Sequence, residues 1–246
     1  MKKILIASAI LMAAPFSAQA NTGLVGENKA FGGDAELGAT LTTGNTETTS
    51  IKGRLDMKHE LYNWENQYLI EALYKEDTGE VTGKRYFGRI QGNYKLSDIS
   101  YIFVTANHEI DPFTGFSSTS TISSGYGHKF IDNGKTQLNI EVGPGYKYKR
   151  LDSESAAEAG YDTEDSWITH GVMNFETKIS KSSKFKQMFV VEYGEGFEGR
   201  SETSITANII GALAMKFAVI VRYNDSPLDD KESTDTETNM TLLYAF

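Results

Sequence analysis

Charged residues stand an even number of positions apart along several stretches of this sequence, and that spacing limits the chemistry open to them. Lys52, Arg54, Asp56 and Lys58 follow one another in this way, and so do Arg85 with Arg89 and Glu141 with Lys147; Glu176, Glu192 and Arg222 lie in stretches of the same kind. Side chains of an extended strand alternate between its two faces, so each set shares one face. A surface of this sort carries both signs with a basic excess, and it either holds ions or pairs internally. Nucleophilic chemistry has one candidate. His108 stands near Asp111 and, across a short connection, near Ser117, Ser118 and Thr119. A Ser/His pair facing lipid is the arrangement that acyl hydrolysis would need. The carboxylates of RLDSESAAEAGYDTEDS, with Asp229, Asp230 and Glu232, offer oxygen ligands, but their spacing matches no regular calcium loop and reads as solvated acidic surface. No catalytic residue, metal site or cofactor is expected.

Bulk properties narrow the setting. MKKILIASAILMAAPFSAQA has two lysines, an apolar stretch and a closing Ala-Gln-Ala, the pattern of a cleavable secretory signal over residues 1–20. Residues 21–246 then form a single domain. Lys2 and Lys3 leave with the leader, so 22 basic residues face 33 acidic ones, a formal charge of −11. Nucleic-acid binding needs basic patches and is excluded as a prior. With no cysteine in the chain, neither a disulfide framework nor a thiol nucleophile is available. The most apolar run, Ile209 to Val221, is broken by Gly211 and Lys216 and is too short for a membrane-spanning helix.

Period-two alternation recurs almost everywhere instead. Ala35, Leu37 and Ala39 alternate with Glu36, Gly38 and Thr40; Tyr86, Gly88, Ile90, Gly92 and Tyr94 alternate with Arg85, Phe87, Arg89, Gln91 and Asn93; Leu138, Ile140 and Val142 alternate with Gln137, Asn139 and Glu141. About twelve half-apolar strands follow, over 33–43, 47–61, 64–76, 83–96, 100–110, 117–131, 136–149, 166–179, 184–194, 200–211, 214–225 and 234–246. For the fifth, YIFVTANHEI, the pattern selects no face. Tight turns near 62–63, 96–100, 132–135, 180–184 and 211–213 alternate with longer connections at 76–82, 111–116, 150–165, 194–200 and 225–233. Short turns at one rim and longer loops at the other belong to an all-β, up-and-down antiparallel barrel of the transmembrane type. GPG at Gly143–Gly145 predicts a bulge, since Pro144 donates no ladder hydrogen bond.

Aromatics fall beside both rims. Tyr94, Tyr101, Phe130, Phe185, Phe217, Tyr244 and Phe246 lie by the short turns, and Tyr74, Tyr86, Tyr146, Trp167, Tyr193 and Tyr223 by the longer loops. Strand propensity does not sort residues into two belts, whereas a membrane interface does. Phe246, the last residue, ends a strand with Tyr244, Leu242 and Met240 on the same face. That ending is similar to those of proteins inserted by the outer-membrane assembly machinery, which makes this machinery, outer-membrane lipid and lipopolysaccharide the expected partners of a monomeric barrel.

LTTGNTETTSIKG, YKLSDISYIF, EIDPFTGF, GYGHKFID, EVGPGYKYKR and the terminal LLYAF occur in that order along the chain. With these stretches the sequence resembles the salt-induced outer-membrane protein family of YdiY type. The resemblance implies an outer-membrane barrel and carries no activity with it. A barrel of this size has a backbone diameter of roughly 24 Å, which long charged side chains reduce to a small aqueous path or close. The expected function is therefore a narrow channel for small anionic solutes or a salt-stress component of the envelope. The alternatives are a structural or interaction barrel with a plugged lumen and acidic loops, and an outer-membrane lipid hydrolase.

Overall fold

Alternation of small, branched and aromatic residues with polar ones leaves the chain one way to bury a face, which is to curl a sheet around it. The computed structural model describes residues 31–42, 48–228 and 231–246. Its strands are β1 (Phe31–Thr42), β2 (Thr48–Leu61), β3 (Trp64–Asp77), β4 (Glu80–Lys95), β5 (Ser100–Asp111), β6 (Phe116–Asp132), β7 (Thr136–Leu151), β8 (Thr163–Lys178), β9 (Ser183–Tyr193), β10 (Phe197–Ile210), β11 (Leu213–Asn224) and β12 (Thr234–Ala245). Each pairs antiparallel with its neighbour in sequence, and β12 returns to β1, closing a twelve-stranded barrel. The fold class is the one the alternation predicts. The leader at 1–20, most of the TTGNTE tip, and Asp229 and Asp230 lie outside the described residues.

The two faces of each strand part cleanly. On β4, Arg85 is buried while Tyr86 and Ile90 are exposed; on β11, Lys216 and Ile220 are buried while Met215 and Phe217 are exposed. The apolar residues thus point out of the barrel and the charges in. The interior is not purely polar, however. Phe103, Ile220 and Glu71 are the largest fully buried side chains, and Leu69, Leu73, Phe116, Ile168 and Met188 also face inward.

Several features differ from the sequence expectations, each for a local reason. The connections at 76–82 and 194–200 are not long loops. β3 and β4 run on to a two-residue turn at Thr78–Gly79, where both residues take positive φ, and β9 and β10 are joined by Gly194–Gly196. The 150–165 connection contains a helix, α1 (Ser153–Ala159). Asp152 caps it by accepting from the Glu154 and Ser155 amides, and the Ser155 bond above all holds its carboxyl below the usual range. The cap therefore stabilises at neutral pH and is lost as the medium is acidified through that depressed value. Tyr101 is not a rim aromatic on the outer face. Residues 101–104 are all apolar, so alternation is silent there. The ring lies instead inside the barrel over Gly127, its neighbour on β6, and the hydroxyl donates to Glu141 on β7 at 2.7 Å.

Pro144 makes no bulge. The β6–β7 register is the same on either side of it, Ser123 facing Gly145 and Tyr126 facing Val142. The lost hydrogen bond is accommodated by close approach: a Cβ on Gly125 would come within 2.6 Å of Gly143 Cα, and one on Gly143 within 2.6 Å of Gly125 Cα. Two facing glycines let the strands touch where the ladder is interrupted. Gly53 and Gly88, by contrast, have open space beside them. Gly125→Ala and Gly143→Ala are expected to lower stability by about 1–3 kcal/mol, the usual cost of overpacking, while Gly53→Ala and Gly88→Ala stay within about 0.5 kcal/mol. Urea midpoints of the four refolded variants check this.

Candidate functional site: the charged interior

Inward-facing charges come from nearly every strand, and the barrel brings together residues far apart in sequence. The largest cluster lies along β10, β11, β12, β1, β2, β3 and β4. Six cations (Lys52, Arg54, Arg85, Arg200, Lys216 and Arg222) share five carboxylates (Glu36, Asp56, Glu71, Glu202 and Glu237). The short links are Arg85 to Glu71 at 2.8 Å, Lys52 to Glu237 at 2.8 Å, and Lys216 to Glu36 at 3.0 Å. Arg54 on β2 reaches Glu202 on β10 at 3.5 Å, across four strands of the circumference. A second cluster holds Lys147 between Glu192 and Glu198, with His170 Nδ1 at 3.0 Å from Glu192.

All eleven charged residues singled out from the sequence lie on the inward face. Lys52, Arg54, Asp56, Arg85 and Arg222 belong to the large cluster, and Lys147 and Glu192 to the second. Glu141 accepts from Tyr101 and Gln91, Glu176 pairs with Lys184 at 3.5 Å, and Lys58 lines the smaller cavity near the short turns. Arg89 has a weak 3.4 Å hydrogen bond to Gln67 and, among the described residues, no carboxylate within ion-pair distance. Sequence reasoning missed the partners Glu36, Glu71, Glu202, Glu237, Arg200 and Lys216. For Glu36 and Lys216 the alternation itself was a signal; Glu71 is hidden between Leu69 and Leu73 on the same face.

Two cavities occupy the remaining interior. One, of about 470 Å³, opens toward the longer loops and is lined by Phe87, Phe116, Lys147, Glu198, Arg200 and Arg222 among others. The other, of about 110 Å³, opens toward the short turns and is lined by Lys58, Lys95, Glu176 and Lys186 among others. Both are bounded by Arg54, Arg89, Gln91, Val172 and Met188, which form a waist between them. Leu228 packs against Gly115 at the long-loop mouth.

The outer face carries the aromatics. Tyr86, Tyr94, Trp167, Tyr193, Tyr223 and Tyr244 are exposed, Trp167 at 75%. Tyr146 packs edge-on against Trp167 with centroids 5.3 Å apart and hydrogen-bonds Asp165. Phe185 is half-buried against Phe175, and Phe246 packs on Phe31. Trp64, edge-on to Tyr94 at 5.4 Å, is a further member that the sequence reading passed over. His108 faces outward too. Its hydrogen-bond partner is Ser120, at 2.8 Å, not Ser117, Ser118 or Thr119. Among the described residues no carboxylate hydrogen-bonds His108, and Asp111 is engaged with the Phe113 amide. No group of three or more His, Asp or Glu stands ready to hold a metal ion among the described residues.

A closed antiparallel barrel, apolar outside and ion-paired within, is the class of protein this geometry defines. The chain belongs to the family described as protein of unknown function DUF481, whose model matches residues 35–246. Of its relatives, the uncharacterized protein YdiY of Escherichia coli (strain K12) is 23% identical over 218 residues, covering 88% of this chain and 84% of that protein. Among solved structures, the NanC porin superposes with a TM-score of 0.51 at 8% identity, over 86% of this chain and 98% of that one. The translocator domain of the autotransporter NalP from Neisseria meningitidis gives 0.47 at 9% identity, over 91% of each chain.

Glu237 pairs with Lys52, Arg85 and Arg222 in a buried setting, so its neutralisation leaves Lys52 and Arg85 to share Glu71, and leaves Arg222 with no ion pair among the described residues. Glu237→Gln is expected to cost about 3–5 kcal/mol, the scale for breaking one side of a buried ion pair. Combining it with Lys52→Met should recover part of that loss. A double-mutant cycle on chemical unfolding measures the coupling.

Proposed function

We propose that this chain is a narrow outer-membrane channel that favours small anions. The observation that carries the reading is the pair of cavities entering from opposite ends and meeting on the same five residues, Arg54, Arg89, Gln91, Val172 and Met188. The outward band of exposed Ile, Leu, Val and aromatic side chains exceeds what a water-soluble surface carries and suits hydrocarbon between two interfaces. Within that setting residues 1–20 serve as the export signal, and Phe246 as the recognition end for the assembly machinery. The preference for anions follows from the charge balance at the waist. Six cations against five carboxylates leave the large cluster positive, and Arg89, which makes no ion pair among the described residues, stands at the waist itself.

A plugged structural barrel is the second reading, favoured by the span of the ion-pair cluster from β10 to β4. Planar-bilayer recording at high salt separates the two. The channel gives discrete small steps with a reversal potential shifted toward the anion, and Val172→Ala with Met188→Ala enlarges the steps severalfold by removing bulk from the waist wall. Folded protein, identified by its altered migration in unboiled samples, that stays silent both as wild type and as this double variant would establish the plugged reading. A salt-stress role, carried by the family resemblance, predicts slower growth of a deletion strain at raised NaCl.

A further inference from the structure

The floor of the larger cavity is unusual in its arginines. Arg200 and Arg222 are directly opposite each other on β10 and β11, and like charges so placed repel. Asp235 stands opposite Arg222 on β12, but among the described residues neither arginine has an ion pair that it does not share. The acid on Arg200, Glu202, is already held by Arg54 and Lys216, and Arg222 lies 3.8 Å from a Glu237 already held by Lys52 and Arg85. Arg89 makes no ion pair among the described residues; Asp56 and Glu141 act on it from further off, and so do the like charges of Arg54 and Arg200. Buried guanidinium nitrogens here have no hydrogen-bond partner: Nε of Arg89, Nε of Arg200 and Nη2 of Arg222. Buried donors of this kind are costly, and native structures leave few of them unmatched.

The rest of the cavity has a mixed lining, with Glu109, Lys147, Glu192 and Glu198 as well as apolar residues. Phe87, Phe116 and Val190 give it an apolar wall beside the arginines, and its volume of about 470 Å³ falls in the range of small-molecule sites. Planar guanidinium forks match the paired oxygens of a carboxylate or phosphate and bind chloride with less geometric advantage.

We propose that this floor is a binding site for a small organic oxyanion whose charged head sits among Arg89, Arg200 and Arg222 while its ring or hydrocarbon body lies against Phe87 and Phe116. The site does not depend on conduction, because a closed waist would leave it accessible from the long-loop end. It also assigns Arg89 a role. The carboxylates nearest it are held by others, Asp56 by Arg54 and Gln67 and Glu141 by Tyr101 and Gln91, so neutralising Arg89 leaves neither without a partner.

Calorimetric titration of the folded barrel in detergent at constant ionic strength tests the proposal, with sodium benzoate, sodium phosphate and sodium chloride as probes. Saturable benzoate binding is expected in wild type and should weaken at least about tenfold in Arg89→Gln, equivalent to about 1.4 kcal/mol, with Arg89→Lys intermediate. Phe87→Ala should weaken benzoate and leave phosphate unchanged, which identifies the apolar wall as the body's seat. Arg89→Gln should unfold at the wild-type urea concentration or higher, unlike a variant of a structural ion pair. Chloride equal to benzoate in heat and midpoint, benzoate binding untouched by Arg89→Gln, or no saturable binding of either organic or inorganic oxyanion would overturn the proposal.

Discussion

Closure of this barrel depends on ion pairs where the backbone ladder is shortest. Among the described residues β1 and β12 pair only over Asp34–Leu37 against Leu242–Ala245, with Gly33 and Phe246 exchanging two more hydrogen bonds below. Other seams, such as β4 with β5 and β8 with β9, run ten positions. Above Leu37 the interior side chains take over. Lys52 on β2 passes Gly38, its inward neighbour on β1, and reaches Glu237 on β12. Glu36 on β1 accepts from Lys216 on β11 and Thr241 on β12. Arg85 reaches Glu237 from as far round as β4. A buried charge without its partner is expensive, so each of these bridges pulls the first and last strands toward one another.

That constraint also fixes where free space remains. The seam cluster fills the side of the barrel from β10 round to β4, so the waist lies between its edge, at Arg54 and Arg89, and the opposite wall at Val172 and Met188 on β8 and β9. Arg54, Arg200 and Arg222 consequently serve two surfaces at once, holding the seam on one side and facing the cavity on the other. Arg89 serves only the cavity. Closure and the cavity wall are thereby coupled through shared arginines, and a substitution at Arg54 should disturb both while one at Arg89 disturbs the cavity alone.

The strands and their faces were legible because a barrel wall obeys a local rule. One face meets an apolar surrounding and the other a polar interior, so Arg85–Asn93 and Gln137–Val142 declare their orientation residue by residue. The rule fails where both faces are apolar, as at Tyr101–Val104, and there only the neighbour decides: Gly127 leaves the space that the Tyr101 ring takes. The aromatic belts and the inward position of Lys52, Arg54, Arg222 and their companions follow from the same alternation. The pairing of those charges does not. Lys52 and Glu237 are 185 residues apart, and Arg54 and Glu202 are 148 apart. Their contact exists only after the barrel has closed with a particular register, which no local pattern encodes. Pro144 shows the converse error, since a rule about one strand predicted a bulge that a glycine on the facing strand made unnecessary.

The contrast between the two faces also says where chemistry belongs. His108 and Ser120 meet at a good hydrogen-bond distance on the outer surface, yet they stand on a flat, paired sheet. The backbone N–H groups around Ser120 are committed to β5 and β7, and among the described residues no third group hydrogen-bonds the imidazole. Inside, the situation is reversed. In the large cluster cations outnumber carboxylates, several guanidinium nitrogens lack partners, and an apolar wall stands beside them. The outer face spends its backbone donors on its own ladder, whereas the inner face keeps guanidinium nitrogens without partners, which is why the proposed oxyanion site lies inside the barrel.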